Sequence, residues 1–306
     1  MSEYLEAKEI VDDSNYLYQD NNEIPEKINE LTQWVKKQKK NNSINHKYLI
    51  KKTKEIIMST KSSLRLFALL FTFSFSILTS SAAQKTDEFT TKSGKKVTIT
   101  CIKHASIEIN YNGTEIQVDP VGMWLKPETD YATFPKANII LVTHEHKDHF
   151  DRAAIHEIRT PATSIYVNQA VFGHFRNGLV MRNGETVKYA ADITIEAVPA
   201  YNTTPGREQY HPQGRDNGYV LTLDGLRIYI AGDTEDIPEM ANLKDIDIAF
   251  LPCNQPYTMT VEQCVNAAKI IKPKVLFPYH YSDTPVHKIS MQLAGSGIDV
   301  RIRDYK

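Results

Sequence analysis

Cysteine is scarce in this 306-residue chain: Cys101, Cys253 and Cys264 are the whole set. Three is an odd number, too few for a disulfide scaffold or a cysteine-only zinc site. Net charge is nearly absent as well, with 36 Lys and Arg against 37 Asp and Glu. No overall basic field is therefore available to hold nucleic acid. Long apolar runs are missing too. Leu66 to Leu78 is an apolar stretch of thirteen residues, roughly 20 Å of helix, whereas a bilayer core is about 30 Å thick. What is present is an ordinary globular composition, 41% hydrophobic and 9% aromatic, which excludes a wholly disordered or collagenous chain. Ten histidines stand out, because six of them lie in segments that can converge on one site.

The first 83 residues read differently from the rest. From Met58, Lys61 and Arg65 form a positive start, Leu66 to Leu78 an apolar centre, and Ser81 and Ala83 a small-residue cleavage site before Gln84. That is the three-part layout of a secretory signal peptide, and it implies a periplasmic or secreted protein with no stable membrane span after cleavage. Residues 1–57 precede it, acidic at first and then rich in Lys and Asn. They carry too little apolar content for a core and read as a disordered upstream extension, with Met58 as the natural start. One helix is possible near Ile28 to Lys40, where Ile28, Leu31, Trp34 and Val35 share a face. Residues 84–306 keep 24 Lys and Arg against 27 Asp and Glu, so the mature part is mildly acidic.

That mature part alternates β and helical patterns without an obvious linker or sequence repeat. Val97–Lys103, Ser106–Tyr111 and Glu115–Val118 read as strands, with Asn112-Gly113 a type I′ hairpin signal. Asn138–Thr143 is a continuous apolar run suited to a buried strand. Further strands are expected at Ser164–Val167, Ile193–Val198, Tyr219–Leu223, Leu226–Ala231, Ile246–Leu251, Val275–Pro278 and Ile298–Ile302, with Asp224-Gly225 as a second tight hairpin. Val261–Ile271 reads as a helix whose Thr260 and Gln263 make a capping box. Ala154–Arg159 and Gln169–Phe175 are shorter helical candidates.

Directly after the apolar Asn138–Thr143 run comes His144-Glu145-His146-Lys147-Asp148-His149. Imidazole nitrogens and a carboxylate crowded into one loop are the ligand types preferred by zinc and similar divalent ions. A lone histidine there would be a solvated loop residue; four such groups at the edge of a buried strand point to metal. Asp233, after the Leu226–Ala231 strand, reads by itself as a turn residue, and His280, after the Val275–Pro278 strand, by itself as a packed one. His156, His174 and His211 remain as additional histidines. The first two sit in helical patterns, whereas His211 lies on a Gly- and Pro-containing loop, where ligands are commonly carried.

His144, His146, Asp148 and His149 resemble the H-x-H-x-D-H signature of the metallo-β-lactamase superfamily, and the likeness runs through the mature part. It implies an α/β (α+β) fold, a four-layer αββα sandwich over residues 84–306. Ala231-Gly232-Asp233-Thr234 looks like the family's bridging aspartate and Pro278-Tyr279-His280-Tyr281 its last histidine ligand. The resemblance then places one metal on His144, His146 and His211 and a second on Asp148, His149 and His280, with Asp233 between them. His104-Ala105-Ser106 and Asp119-Pro120 resemble the branch that includes L-ascorbate-6-phosphate lactonase and N-acyl-phosphatidylethanolamine phospholipase D. In that branch Asp119 would hold a ligand histidine in orientation, while His104 would line the pocket or cap a strand. The implied cofactors are two divalent ions, zinc first, with manganese or iron also compatible. The implied activity is hydrolysis of an ester, lactone or phosphodiester bond in a small molecule by a water shared between the metals, with Asp148 orienting it and taking its proton. A β-lactamase and a non-catalytic exported metal-binding protein are the other readings.

Overall fold

The computed structural model describes residues 86–305. The extension (1–57), the signal segment (58–83) and the possible helix near Ile28 to Lys40 lie outside the described residues. Two seven-stranded sheets make up the fold. The first holds β1 (Thr86–Thr90), β2 (Lys96–Lys103), β3 (Ser106–Tyr111), β4 (Thr114–Val118), β5 (Ile139–Leu141), β6 (Ser164–Val167) and β7 (Leu179–Val180), side by side in chain order. The second holds β8 (Thr186–Ala190), β9 (Ile193–Ala200), β10 (Asp216–Leu223), β11 (Leu226–Ile230), β12 (Ile248–Pro252), β13 (Val275–Tyr279) and β14 (Asp299–Val300), again in chain order.

The two sheets repeat one topology. β1 to β4 form an antiparallel meander and β4 to β7 run parallel. β8 to β11 form a second meander and β11 to β14 run parallel. Parallel neighbours need crossover connections. These carry α1 (Arg152–Ile158) and α2 (Gln169–Phe175) in the first half, and α3 (Val261–Ile271) and α4 (His287–Gln292) in the second. Both expected hairpins place their central residues at positive φ, Asn112 and Gly113 at +47° and +87°, Asp224 and Gly225 at +47° and +79°, as a type I′ turn requires.

The strand β5 explains the layering. Ile139 and Leu141 face the core between the sheets, where they join Ile107, Ile109, Ile195, Tyr219 and Leu221. Ile140 and Val142 face the other way, against Ile155, Ile158 and Val171 of α1 and α2. A strand covered on both faces has no polar side, which is why the sequence there runs without alternation. On the second sheet α3 contributes Val261, Cys264, Val265, Ala268 and Ile271 to the same core as Phe250 and Phe277. Its Thr260–Gln263 capping box is present as expected. No disulfide joins the three buried cysteines. No helix among the described residues is long and apolar enough to cross a membrane.

Candidate metal centre

The site gathers where parallel strands end. β4 runs out into Asp119, β5 into the 144–149 loop, β11 into Asp233 and β13 into His280. Loops leaving the carboxyl edge of parallel strands are where α/β sheets place ligands. Two of these residues sit in the left-handed backbone region, Asp119 at φ +43° and His280 at +49°. Such turns let a chain leaving a buried strand swing sideways into the site.

His211 is delivered differently. The segment 201–211 is pinned by the residues after β11: the Tyr201 N–H donates to Thr234 Oγ1 (3.0 Å), and the Thr203 and Thr204 N–H groups donate to Glu235 Oε2 at 2.8 and 2.6 Å. Glu235 is fully buried. The Asn202 N–H then donates to the carbonyl of His211 (2.9 Å), closing the loop.

Three overlapping groups of side chains result, each with its candidate ligand atoms within 4.8 Å of one another. They are His144, His146 and His211; His104, Asp148, His149 and His280; and His144, His149 and Asp233. An Asp233 oxygen is 3.2 Å from His149 Nε2, 3.3 Å from His280 Nε2, 3.4 Å from His211 Nε2 and 3.9 Å from His144 Nε2, so this carboxylate touches both sets. All the metal-site residues expected from sequence are thereby brought together. His156 and His174 are elsewhere, on α1 and α2, and Cys253 is in none of the groups.

Several of these atoms have no partner. His144 Nε2, His149 Nε2, His280 Nε2 and Asp233 Oδ1 are buried and make no hydrogen bond. Unsatisfied buried polar atoms are expensive, on the order of 1–3 kcal/mol each, and here they converge on one point. The opposite ring nitrogens of His149 and His211 are occupied. His149 Nδ1–H donates to Asp119 Oδ2 (2.8 Å), and Asp119 also accepts from the Thr143 N–H (2.8 Å) and hydroxyl (2.7 Å). His211 Nδ1–H donates to Asp216 Oδ2 (3.1 Å), which Arg215 grips at 2.7 and 2.9 Å. This arrangement fixes the tautomer that leaves Nε2 as a lone-pair donor. The donor set and its burial fit divalent metal.

The electrostatics describe one coupled unit. Burial drives His144 well below its ordinary value, with neighbouring histidines adding to the effect, and lowers His146 in the same way. Burial and the nearby His280 lower His104 to about 4. His149 is the exception: burial pulls it down, but Asp233 and Asp119 override and hold it well above its usual value. Burial alone would raise the carboxyls of Asp148 and Asp233. The hydrogen bond from His104 and the charges of His149 and His280 beside Asp148, and the charges of His280 and His149 beside Asp233, hold both far below instead. Asp119, walled in completely, is pushed up by burial. A cavity of about 200 Å³ opens beside His104, with Leu125, Lys126, Tyr281, Ser282 and Tyr305 on its walls.

Sequence reasoning missed Asp216, Arg215, Tyr305 and the loop-holding Glu235. The signal available for Asp216 was its position five residues after His211 at the start of a strand.

A family model described as a β-lactamase superfamily domain matches residues 98–280 of the chain. The chain belongs to that superfamily. A metal-dependent hydrolase of the UPF0173 group from Ligilactobacillus salivarius is 32% identical over 197 residues, 61% of this chain and 86% of its own length. Among solved structures, one assigned as a metal-dependent hydrolase from Parabacteroides distasonis is 57% identical, with a TM-score of 0.70, over 72% of this chain and 99% of that one. The metallo hydrolase Igni18 from Ignicoccus hospitalis shares the fold at 23% identity and a TM-score of 0.58, over 68% of this chain and 95% of that one. The chain is thus a member of a superfamily of metal-dependent hydrolases, with a mixed α/β two-sheet fold.

Proposed function

We infer that this protein hydrolyses an ester, lactone or phosphodiester bond in a small molecule, using two divalent metal ions held by the histidine–aspartate cluster. The observation that carries this is the convergence of buried, unpartnered His144 Nε2, His149 Nε2, His280 Nε2 and Asp233 Oδ1. His144, His146 and His211 would hold one ion, and Asp148, His149 and His280 the other, with Asp233 between them. Zinc suits this nitrogen-rich set best, and manganese or iron are compatible with it.

The chemistry such ions supply is an acidified water near neutral pH and a Lewis acid for the attacked oxygen. The chain's own residues do the rest. Asp148 stays ionised throughout the neutral range, and its Oδ2 lies 3.1 Å from His104 Nε2 and 3.4 Å from His280 Nε2, so its carboxylate is held in place to receive a proton from an attacking water. The cavity beside His104 has room for a small ligand. A mildly acidic mature part supports a small-molecule substrate over nucleic acid. The arrangement of residues 58–83 supports export, with the enzyme beginning at Gln84 and working in the periplasm or outside the cell. Amino-terminal sequencing of the natural protein checks this, and a start within residues 1–57 overturns it.

Elemental analysis of the purified protein should find about two metal equivalents. Turnover on a panel of esters, lactones, phosphodiesters and β-lactams should vanish with chelator and return with metal. Tight metal binding without turnover on any member of the panel would favour a metal-storage protein.

A further inference from the structure

His104 sits on the two-residue turn between β2 and β3, at φ +49°. A left-handed backbone is unfavourable for any residue with a Cβ, and glycine is the usual choice there. The register of the β2–β3 pair also slips between Cys101 and Lys103, just before the turn, and such irregularities re-aim the side chains that follow. The backbone is then clamped: the His104 N–H donates to the Tyr305 carbonyl (2.7 Å), and the His104 carbonyl accepts from the His280 N–H (3.0 Å). The result is an imidazole driven into the cluster. Its ring centroid is 3.8 Å from that of His280, and its Nε2 is 3.1 Å from Asp148 Oδ2.

We propose that His104 is itself a metal ligand, donating Nε2 to the same ion as Asp148, His149 and His280. This rests on the two-metal reading of the site given above. The spacing supports it. Ligands about 2.0–2.1 Å from a five-coordinate ion lie about 2.9–4.1 Å from one another. Around Asp148 Oδ2, the Nε2 atoms of His104, His280 and His149 lie at 3.1, 3.4 and 4.0 Å. The four candidate atoms are all within 4.8 Å of one another, so one ion can be reached by all of them.

The repeated topology supports it independently. β2–β3 in the first half corresponds to β9–β10 in the second, and the β9–β10 connection carries His211. Each half therefore sends one histidine into the site from the same connection. His211 goes to the set formed with His144 and His146, and His104 to the set formed with Asp148 and His280. The second ion then has four protein ligands besides the Asp233 carboxylate, which makes it the more enclosed of the two.

The test uses the full chain and the variants His104→Gly and His104→Gln. Glycine relieves the strained backbone, so the melting temperature of metal-free His104→Gly should equal or exceed the parent's, which guards against simple misfolding. Cobalt(II) is loaded to two equivalents, and strongly shifted, exchangeable imidazole N–H signals are counted by proton NMR. Six are expected in the parent, from His104, His144, His146, His149, His211 and His280, and five in each variant. The second equivalent should bind at least tenfold more weakly in both variants, with the first unchanged. An equal signal count in parent and variants overturns His104 as a ligand and leaves it a hydrogen-bond partner of Asp148. A parent that holds fewer than two cobalt equivalents overturns the two-metal reading on which the proposal rests.

Discussion

Asp216→Asn tests whether the geometry behind His211 matters to metal binding. Asp216 is fully buried, and its Oδ2 accepts from His211 Nδ1 (3.1 Å) and Arg215 Nη2 (2.9 Å), while Oδ1 accepts from Arg215 Nε (2.7 Å). Asparagine keeps the shape but supplies one acceptor where two are needed. With its oxygen toward His211, the amide nitrogen faces the Arg215 Nε–H, and the guanidinium loses half of its grip. With the amide reversed, two donors meet at His211. Either way a charge-assisted pair is lost, at about 1.5–3 kcal/mol of folding stability. The imidazole also loses the negative partner that fixes its tautomer and orientation, and removing such a partner weakens metal binding by about 10–100-fold. The ion held by His144, His146 and His211 should weaken by that factor in competition against a fluorescent chelator. The matched variant Asp119→Asn, behind His149, should weaken the other ion instead. Retention of both equivalents within twofold of the parent in Asp216→Asn would refute the reasoning, as would equal weakening of both ions.

Further consequences can be measured on stability alone. Gly232→Ala places a Cβ 2.8 Å from the Asn217 carbonyl and 3.2 Å from Thr143 Cβ, at φ +65°. It should destabilise by about 2–4 kcal/mol in urea titration, and a loss below about 0.5 kcal/mol would contradict the close approach. Asp87 is buried and accepts from Arg303 at 2.6 and 2.8 Å and from Arg301 at 2.9 Å, tying β1 to the chain end. Asp87→Ala should remove about 1–3 kcal/mol, the lower part if the arginines swing into water; an unchanged urea midpoint would remove this tie from the fold's support. Glu115 is pushed up to about 7 by burial, with Glu108 beside it adding to the rise. Its folded form therefore holds a proton that the unfolded chain releases near pH 4.5, so the parent's stability falls as pH rises from there to about 7. Glu115→Gln should match the parent at pH 4 and exceed it by about 1–3 kcal/mol at pH 8; the same difference at both pH values would sink this assignment.

What could be read in the sequence depended on whether a local pattern or a distant contact set the structure. The 144–149 loop is legible because its ligand types lie within six residues of a strand whose unbroken apolar character marks burial on both faces. α3 is legible to its ends because Thr260 and Gln263 cap it locally. β1 and β8 were not expected: Thr86–Thr90 and Thr186–Ala190 are short, half-exposed edge strands, the first with a charged Asp87 at its buried position and the second with a single short polar–apolar alternation. β10 begins three residues before the expected Tyr219, because Asp216, Asn217 and Gly218 read as turn residues in isolation. Gly218 is there because a Cβ would lie 2.7 Å from the Ala231 carbonyl. α4 is one short helix without a side-chain cap. The last expected strand, Ile298–Ile302, is cut to Asp299–Val300, although the Arg301 N–H still donates to the Leu276 carbonyl (2.8 Å), and the Arg301 and Arg303 side chains reach Asp87.

The repeat itself was invisible for a physical reason. Hydrogen-bond topology constrains which positions are buried and where strands end, but not which side chains stand at those ends. Asp119 and Asp233 occupy the same slot, after the strand where the meander meets the parallel strands, β4 and β11. One lies behind His149 as a hydrogen-bond acceptor and the other faces the candidate ligand atoms directly. Asn168 and His280 likewise both follow the next-but-one strand, and the first caps α2 while the second points into the cluster. A two-sheet scaffold that presents matching slots from each half lets chemistry be assigned slot by slot. The fold then fixes where the ligands meet, and residue choice at the slots decides how many each ion receives.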